Sequence, residues 1–256
     1  MDRLYFLLYR PLQFVPLLIG ITLVSFLLVH LAPGDISHLF AGGQGGDLAA
    51  VRARYGLDHP VVVQYFYFLA NLLQGKLGMS SAYQAPVFSV VADHLWPTLF
   101  LIVYGAILAM IIAILLSLVA ARHQGGPLDR IIRALAIGGL GAPAFWLGTM
   151  LILLFSIKLG LFPESGYGDT VSNRLQHLFL PALTLALSLA PLLVRSLRRS
   201  LLHEMAADHV TAARSRGLPE RMIFRHHVFL NALIPAVRLL GLNIGWLVGS
   251  TVVVEQ

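Results

Sequence analysis

The stretch 94-HLWPTLFLIVYGAILAMIIAILLSLVAA-121 decides the class of fold, because it contains no Asp, Glu, Lys or Arg. A helix needs roughly 20 apolar residues to cross the hydrocarbon core of a bilayer, and this stretch is longer than that. Three more uncharged runs of sufficient length occupy residues 11–34, 134–157 and 175–194. A fifth run, 231–254, is interrupted by Arg238. The pattern predicts about five membrane-spanning helices.

The composition also indicates a membrane protein. Hydrophobic residues make up 57% of the chain and charged residues 12%, which leaves too little polar surface to cover a soluble globule. The chain has no cysteine, so disulfides and thiolate metal sites are excluded. We therefore predict an all-α fold, a polytopic membrane helical bundle that forms one domain over residues 1–256.

The distribution of Lys and Arg predicts the orientation of the chain. With a cytoplasmic N-terminus, an external segment at 35–93 and a cytoplasmic segment at 195–230, one side collects twelve basic residues and the other five. The twelve are Arg3, Arg10, Arg122, Arg130, Arg133, Arg195, Arg198, Arg199, Arg214, Arg216, Arg221 and Arg225, and the five are Arg52, Arg54, Lys76, Lys158 and Arg174. The net charge of +6 then reflects topology, and a nucleic-acid partner is not needed to explain it.

The polar stretch 204-EMAADHVTAARSRGLPERMIFRHH-227 lies between two apolar runs. Its pattern predicts a helix over residues 201–216, a left-handed turn at Gly217 and a second helix that begins at Pro219. Small residues at Ala212, Ala213 and Gly217 would let a partner approach closely, and the arginines could pair with acidic groups on it. An amphipathic helix lying on lipid headgroups would show the same pattern. The residues alone leave both interpretations open.

Ordered motifs along the whole chain resemble one family. The stretch contains Thr211-Ala212-Ala213-x3-Gly217, Leu218-Pro219-Glu220-Arg221 and His227-x3-Asn231-Ala232-Leu233-Ile234-Pro235. Further matching pieces are Val29-His30-Leu31-Ala32-Pro33-Gly34-Asp35, Tyr55-Gly56-Leu57-Asp58, Gly75-x-Leu77-Gly78-x-Ser80, Pro97-Thr98-Leu99, Pro143-Ala144-Phe145-Trp146-Leu147-Gly148, Leu180-Pro181-Ala182-Leu183-Thr184 and Val252-Val253-Val254-Glu255. Together they are similar to the inner-membrane permeases of ABC importers, in the branch that carries oligopeptides, dipeptides and nickel.

The resemblance implies the type I ABC importer transmembrane fold, which has six spans in complete family members. It implies a subunit that carries di- or oligopeptides, with nickel or a metal chelate as the alternative cargo. The implied partners are a second homologous permease, two cytoplasmic ATPase subunits, an extracytoplasmic substrate-binding protein and membrane lipid. The residues implied to couple to the ATPases are Thr211, Ala212, Ala213, Arg214, Arg216, Gly217, Leu218, Glu220 and Arg221.

Three features depart from the family pattern. Thr211 stands where the wider superfamily has the Glu of its EAA loop, although this branch varies there. Arg238 occupies a position that is usually uncharged. The chain also stops at Gln256, before the further loop and span of complete members, so we expect either a truncated sequence or a last span supplied in another way.

The sequence favours a transport subunit without catalytic residues. The Gly75-Lys76 pair has Ala70 and Leu77 where a phosphate-binding loop needs Gly and Ser or Thr, so ATP and Mg are expected in the partner subunits. His203-Glu204 begins like a zinc-protease motif, but Ala207 replaces its second histidine, so no metal site is predicted. An intramembrane hydrolase and a channel are the competing classes. Hydrolysis or conductance by the purified chain alone would distinguish them from a permease.

Few polar side chains lie within the predicted spans. Ser188, Asn243 and Arg238 are the candidates for the substrate path. For Ser188 and Asn243 the competing interpretation is a hydrogen bond between helices, which is the more usual role of such groups in membrane spans. For Arg238 the competing interpretation is structural, because an arginine near the end of a span can extend its guanidinium to water.

Overall fold

The structure is a computed structural model that describes residues 2–31, 49, 52–53, 57–80, 83 and 85–254. Its regular elements are helices, which confirms the predicted all-α class for the described part of the chain. The chain divides into two compact units, Met1–Leu95 and Trp96–Gln256. A single domain over residues 1–256 stays a prediction. Residues 32–35 of the matched motif at 29–35, Tyr55 and Gly56 of the motif Tyr55 to Asp58, and Glu255 lie outside the described residues.

The first unit contains helix α1, Asp2–Leu31, and helix α2, Val61–Leu73. The Tyr65 hydroxyl donates to the carbonyl of Ile19 at 3.2 Å, and a ring nitrogen of His30 lies 2.9 Å from Oε1 of Gln64. The ring of Phe26, which is 8% exposed, packs against Tyr65. Aromatic packing and these polar contacts join α2 to α1. Residues 35–48 of the predicted external segment are not among the described residues.

The second unit begins within helix α3, Val87–Arg122, and contains seven further helices and two π-helical segments in its described residues. These are α4 Pro127–Gly139, α5 Ala144–Leu151, π1 Ile152–Lys158, α6 Val171–His177, α7 Phe179–Met205, α8 Asp208–Ser215, α9 Glu220–Met222, π2 Ile223–Phe229 and α10 Leu230–Val254. Among the described residues, four continuous helical segments are long and apolar enough to cross a membrane, and α4 with α5 and π1 makes up to five. The predicted number of spans is confirmed.

The third predicted span, residues 134–157, is bent rather than straight. The chain bends by 110° between α4 and the continuous segment of α5 and π1, across residues 140–143. Pro143 caps α5 in an extended conformation, and a proline has no amide hydrogen with which to continue a helix from α4. A Cβ on Gly139 would come within 2.9 Å of Pro191, so the absence of a side chain permits the close approach of α4 to α7.

Helix α7 lies at the centre of the second unit. Leu185 and Leu193 are fully buried in a cluster that also contains Leu101 of α3. The Ser117 hydroxyl of α3 donates to the carbonyl of Val194 at 3.1 Å. Whereas the fourth predicted span ends at residue 194, α7 continues without interruption to Met205. One helix therefore connects the apolar core with the polar stretch that follows it.

Candidate coupling site

The candidate coupling site comprises the end of α7, helix α8 and the start of α9. The predicted continuous helix over residues 201–216 is wrong, because α7 ends at Met205 and α8 begins at Asp208. Ala207 is extended, with φ −74° and ψ 149°, and its amide donates to the carbonyl of Glu204 at 3.2 Å. The helix is interrupted here without a glycine or proline to signal it.

Tertiary packing explains this break. Val210 is fully buried and Ala213 is 5% exposed, and both join a second apolar cluster that contains Leu201 and Ile223. Burying an aliphatic side chain such as Val or Ile contributes about 1.5–3 kcal/mol. Helix propensities of ordinary residues differ by at most about 0.7 kcal/mol per residue, so burial of Val210 and Ile223 outweighs the helical preference of the residues at the break. Ala213 therefore contacts the chain's own core and does not offer a small surface to a partner.

The turn after α8 has the geometry of a Schellman cap. Gly217 has φ +76°, its amide donates to the carbonyl of Arg214 at 2.9 Å, and the amide of Leu218 donates to the carbonyl of Ala213 at 3.3 Å. This pair of hydrogen bonds requires a left-handed residue, which glycine adopts without strain. Pro219 then caps α9 in an extended conformation. The predicted left-handed turn and second helix start are both present.

One ion pair joins the two sides of this turn. Nε and one terminal nitrogen of Arg214 donate to the two carboxylate oxygens of Glu220, at 2.6 and 3.2 Å. The hydrogen bond to Glu220 raises the pKa of the Arg214 guanidinium above its ordinary value. Both side chains are largely exposed, so water screens their attraction, and the pair orients the turn more than it stabilises the chain.

The predicted coupling residues divide into an inner and an outer group. Ala213 is buried and Leu218 is half-buried against the second cluster. The outer group is exposed and consists of Thr211, Ala212, Arg214, Arg216, Gly217, Glu220 and Arg221. The surface that a partner could touch therefore combines two small residues and a hydroxyl with three arginines and one carboxylate. We call this set the outer coupling face.

The structure brings two of the three substrate-path candidates together. Ser188 of α7 and Asn243 of α10 line one cavity, together with Gly139, Pro143 and Leu192. Each of these polar groups donates a hydrogen bond within its own helix. The Ser188 hydroxyl donates to the carbonyl of Thr184 at 3.0 Å, and the Asn243 amide donates to the carbonyl of Leu239 at 2.8 Å. Arg238 is exposed and is not among the residues that line this cavity.

The sequence analysis missed a buried ion pair between α4 and α7. Nε and a terminal nitrogen of Arg198 donate to the two oxygens of Asp129, at 2.6 and 2.7 Å. The amide of Gly125 also donates to Asp129, at 3.0 Å, and the residue is completely buried. A signal was available, because Asp129 is the one acidic residue between Asp93 and Glu164. Its partner, more than 60 residues away, could not be read from the sequence.

Comparison with known proteins identifies the family. The binding-protein-dependent transport system inner membrane component matches residues 113–256, and the N-terminal region of such membrane components matches residues 3–101. The chain belongs to this family. It is 35% identical over 255 residues to the glutathione transport system permease protein GsiC of Salmonella choleraesuis (strain SC-B67), and 33% identical over 255 residues to that of Escherichia coli (strain K12). Each alignment covers 99% of this chain and 82% of the relative.

Family membership confirms the resemblance seen in the motifs. The chain is an inner-membrane permease subunit of an ABC importer, a multi-pass transport component rather than an enzyme. No group of three or more His, Cys, Asp or Glu side chains that could hold a metal ion occurs among the described residues. The GsiC proteins are named for glutathione transport.

Proposed function

We propose that this permease and a second homologous permease form the path through which an ATP-driven importer moves di- or oligopeptides. The observation that carries the proposal is the similarity, along 99% of the chain, to permeases named for glutathione transport. Glutathione is a small peptide, so this name favours a peptide cargo over nickel. Import of nickel or a metal chelate by the same architecture is the second candidate.

The proposed partners follow from the separate roles that the subunits of such an importer have. An extracytoplasmic binding protein delivers the substrate, and two cytoplasmic ATPase subunits hold ATP and Mg. We assign docking of one ATPase to the outer coupling face, and we assign an internal packing role to Ala213 and Leu218. Small residues at Ala212 and Gly217 allow close approach, while the arginines that flank them attract acidic groups. Lipid surrounds the spans, and no nucleic acid is involved.

The geometry supports a mechanical route from the docking site to the path. Helix α7 carries Ser188 at the cavity and Leu201 in the cluster beneath α8, so both belong to one continuous helix. Movement of the coupling site toward a closing pair of ATPases would tilt α7 as a rigid element. Such rigid-body alternation exposes a central path to one side of the membrane and then to the other.

We place Ser188 and Asn243 on the substrate path, and we assign Arg238 the structural role of an arginine near the end of its span that extends to water. A hydroxyl and a carboxamide can exchange their bonds within the helix for bonds to a peptide backbone, because both groups donate and accept. The proposed orientation puts the N-terminus and residues 195–230 in the cytoplasm and residues 35–93 outside. This orientation places the outer coupling face on the side of the ATPases.

Reconstitution of the complete transporter in proteoliposomes tests the proposal. ATP-dependent uptake of labelled glutathione, a labelled dipeptide and labelled Ni²⁺ would be compared, each with the cognate binding protein. We expect peptide uptake that requires ATP and this subunit. Uptake of Ni²⁺ without uptake of either peptide would establish the second candidate. Hydrolysis or ion conductance by the purified chain alone would contradict both.

A further inference from the structure

A pocket lined by three arginines lies between α4 and α7. Arg133 and Ile137 of α4 face Val194, Arg195 and Arg198 of α7 across a cavity of about 170 Å³. This volume is several times the roughly 30 Å³ that one water occupies in the liquid, so the pocket admits a group of several heavy atoms. The coupling site does not include this pocket.

The pocket carries an excess of positive charge. Within the part of the chain that the structure describes, the carboxylate that pairs with its arginines is Asp129, which is fully buried and binds Arg198 through both oxygens. Arg133 lies 3.5 Å from the same carboxylate and remains 48% exposed. Arg195 is exposed and forms no ion pair with the described residues. Three guanidinium groups are therefore opposed by one carboxylate, and an anionic occupant would restore the balance.

The position of the pocket indicates where that anion comes from. Val194 ends the uncharged run 175–194, and Arg195 is the first charged residue beyond it, so the pocket lies at the depth where hydrocarbon gives way to headgroups. Ile137 is 64% exposed beside the arginines. An apolar surface for an acyl chain thus adjoins a basic site for a phosphate.

We propose that this pocket binds the phosphate headgroup of an anionic phospholipid on the arginine-rich side of the membrane. Planar guanidinium groups hold phosphate oxygens through paired hydrogen bonds, and they lose less hydration energy than an ammonium group would. Basic pockets between membrane helices are suited to acidic lipid headgroups for this reason. A bound lipid would bridge α4 and α7 next to the Asp129–Arg198 ion pair.

Lipid binding by the purified full chain tests the proposal. Native mass spectrometry would measure retention of dioleoylphosphatidylglycerol and of dioleoylphosphatidylcholine by the wild type, Arg133→Gln and Arg195→Gln. Each pocket variant loses one guanidinium that would hydrogen-bond the phosphate, so we expect it to bind phosphatidylglycerol about fivefold more weakly, which corresponds to about 1 kcal/mol. Binding of phosphatidylcholine is expected to stay the same. Arg198 is left intact because it holds the buried Asp129.

Arg130→Gln is the matched control, because Arg130 is exposed on the same helix and does not line the pocket. We expect it to change phosphatidylglycerol binding by less than about twofold. Equal losses in Arg130→Gln and the two pocket variants would overturn the proposal, as would equal retention of both lipids by the wild type. If equimolar glycerol phosphate displaced the lipid, the pocket would be a site for a soluble phosphate rather than for a lipid headgroup. Pocket variants that keep lipid binding but no longer copurify with the ATPase subunits would show instead that the pocket binds an acidic protein surface.

Discussion

Replacing Gly217 by leucine tests whether the turn at Gly217 is a docking surface for an ATPase subunit or a passive linker. Gly217 has φ +76°, a conformation that costs an L-residue roughly 1–2 kcal/mol. A Cβ at this position would meet no atom within 4 Å, so the chain itself imposes no further steric cost. Stabilities of folded domains are about 5–15 kcal/mol, and we therefore expect Gly217→Leu to fold and insert.

The expected defect lies in coupling, because the new side chain projects into space that the proposal assigns to an ATPase subunit. Gly160→Leu is the matched control, since Gly160 has φ +61° and is equally open, but lies outside the outer coupling face. Both variants should lose similar thermal stability. Only Gly217→Leu should lose retention of the ATPases or the link between ATP hydrolysis and uptake.

Two measurements on the reconstituted transporter check this prediction: substrate uptake, and ATPase activity stimulated by the loaded binding protein. Wild-type values of both for Gly217→Leu would refute the docking role. The alternative of a helix lying on lipid headgroups would then account for the polar stretch. Equal losses in Gly160→Leu would show that backbone strain, and not a blocked dock, causes the defect.

Three further predictions address orientation, the path and stability. Because the chain has no native cysteine, Ser215→Cys tests orientation, and we expect an impermeant maleimide to label it from the cytoplasmic side; labelling from outside would contradict the topology. Arg238→Leu should leave uptake largely intact because Arg238 does not line the cavity, whereas complete loss with normal insertion would place it in the substrate path. Asp129→Asn should lower the free energy of unfolding by about 2 kcal/mol, because the charge-assisted hydrogen bonds from Arg198, which keeps some contact with water, are weakened. Thermal unfolding compared with Asp208→Asn, at an exposed site, measures this, and equal midpoints would refute it.

The local sequence pattern sufficed to predict the class of fold and part of the candidate site. Uncharged runs of this length predict membrane helices, because hydrocarbon offers the backbone no hydrogen-bond partners. A helix satisfies its backbone hydrogen bonds within one segment. The Schellman turn at Gly217 and the helix start at Pro219 were also predictable, because each depends on the conformational preference of one residue. Family membership was visible in ordered motifs for the same reason, since motifs are local in sequence.

Contacts between distant residues decided the rest. The break between Met205 and Asp208 has no glycine or proline signal, and it exists because Val210 is buried against Leu201 and Ile223. The close approach of α4 to α7 at Gly139 and Pro191 is likewise a contact between residues far apart in the sequence. The sequence by itself determined which segments enter the membrane and where one turn must be left-handed. Only the tertiary structure decided which helices pack together, because burial energies of a few kcal/mol exceed the local preferences that a sequence pattern records.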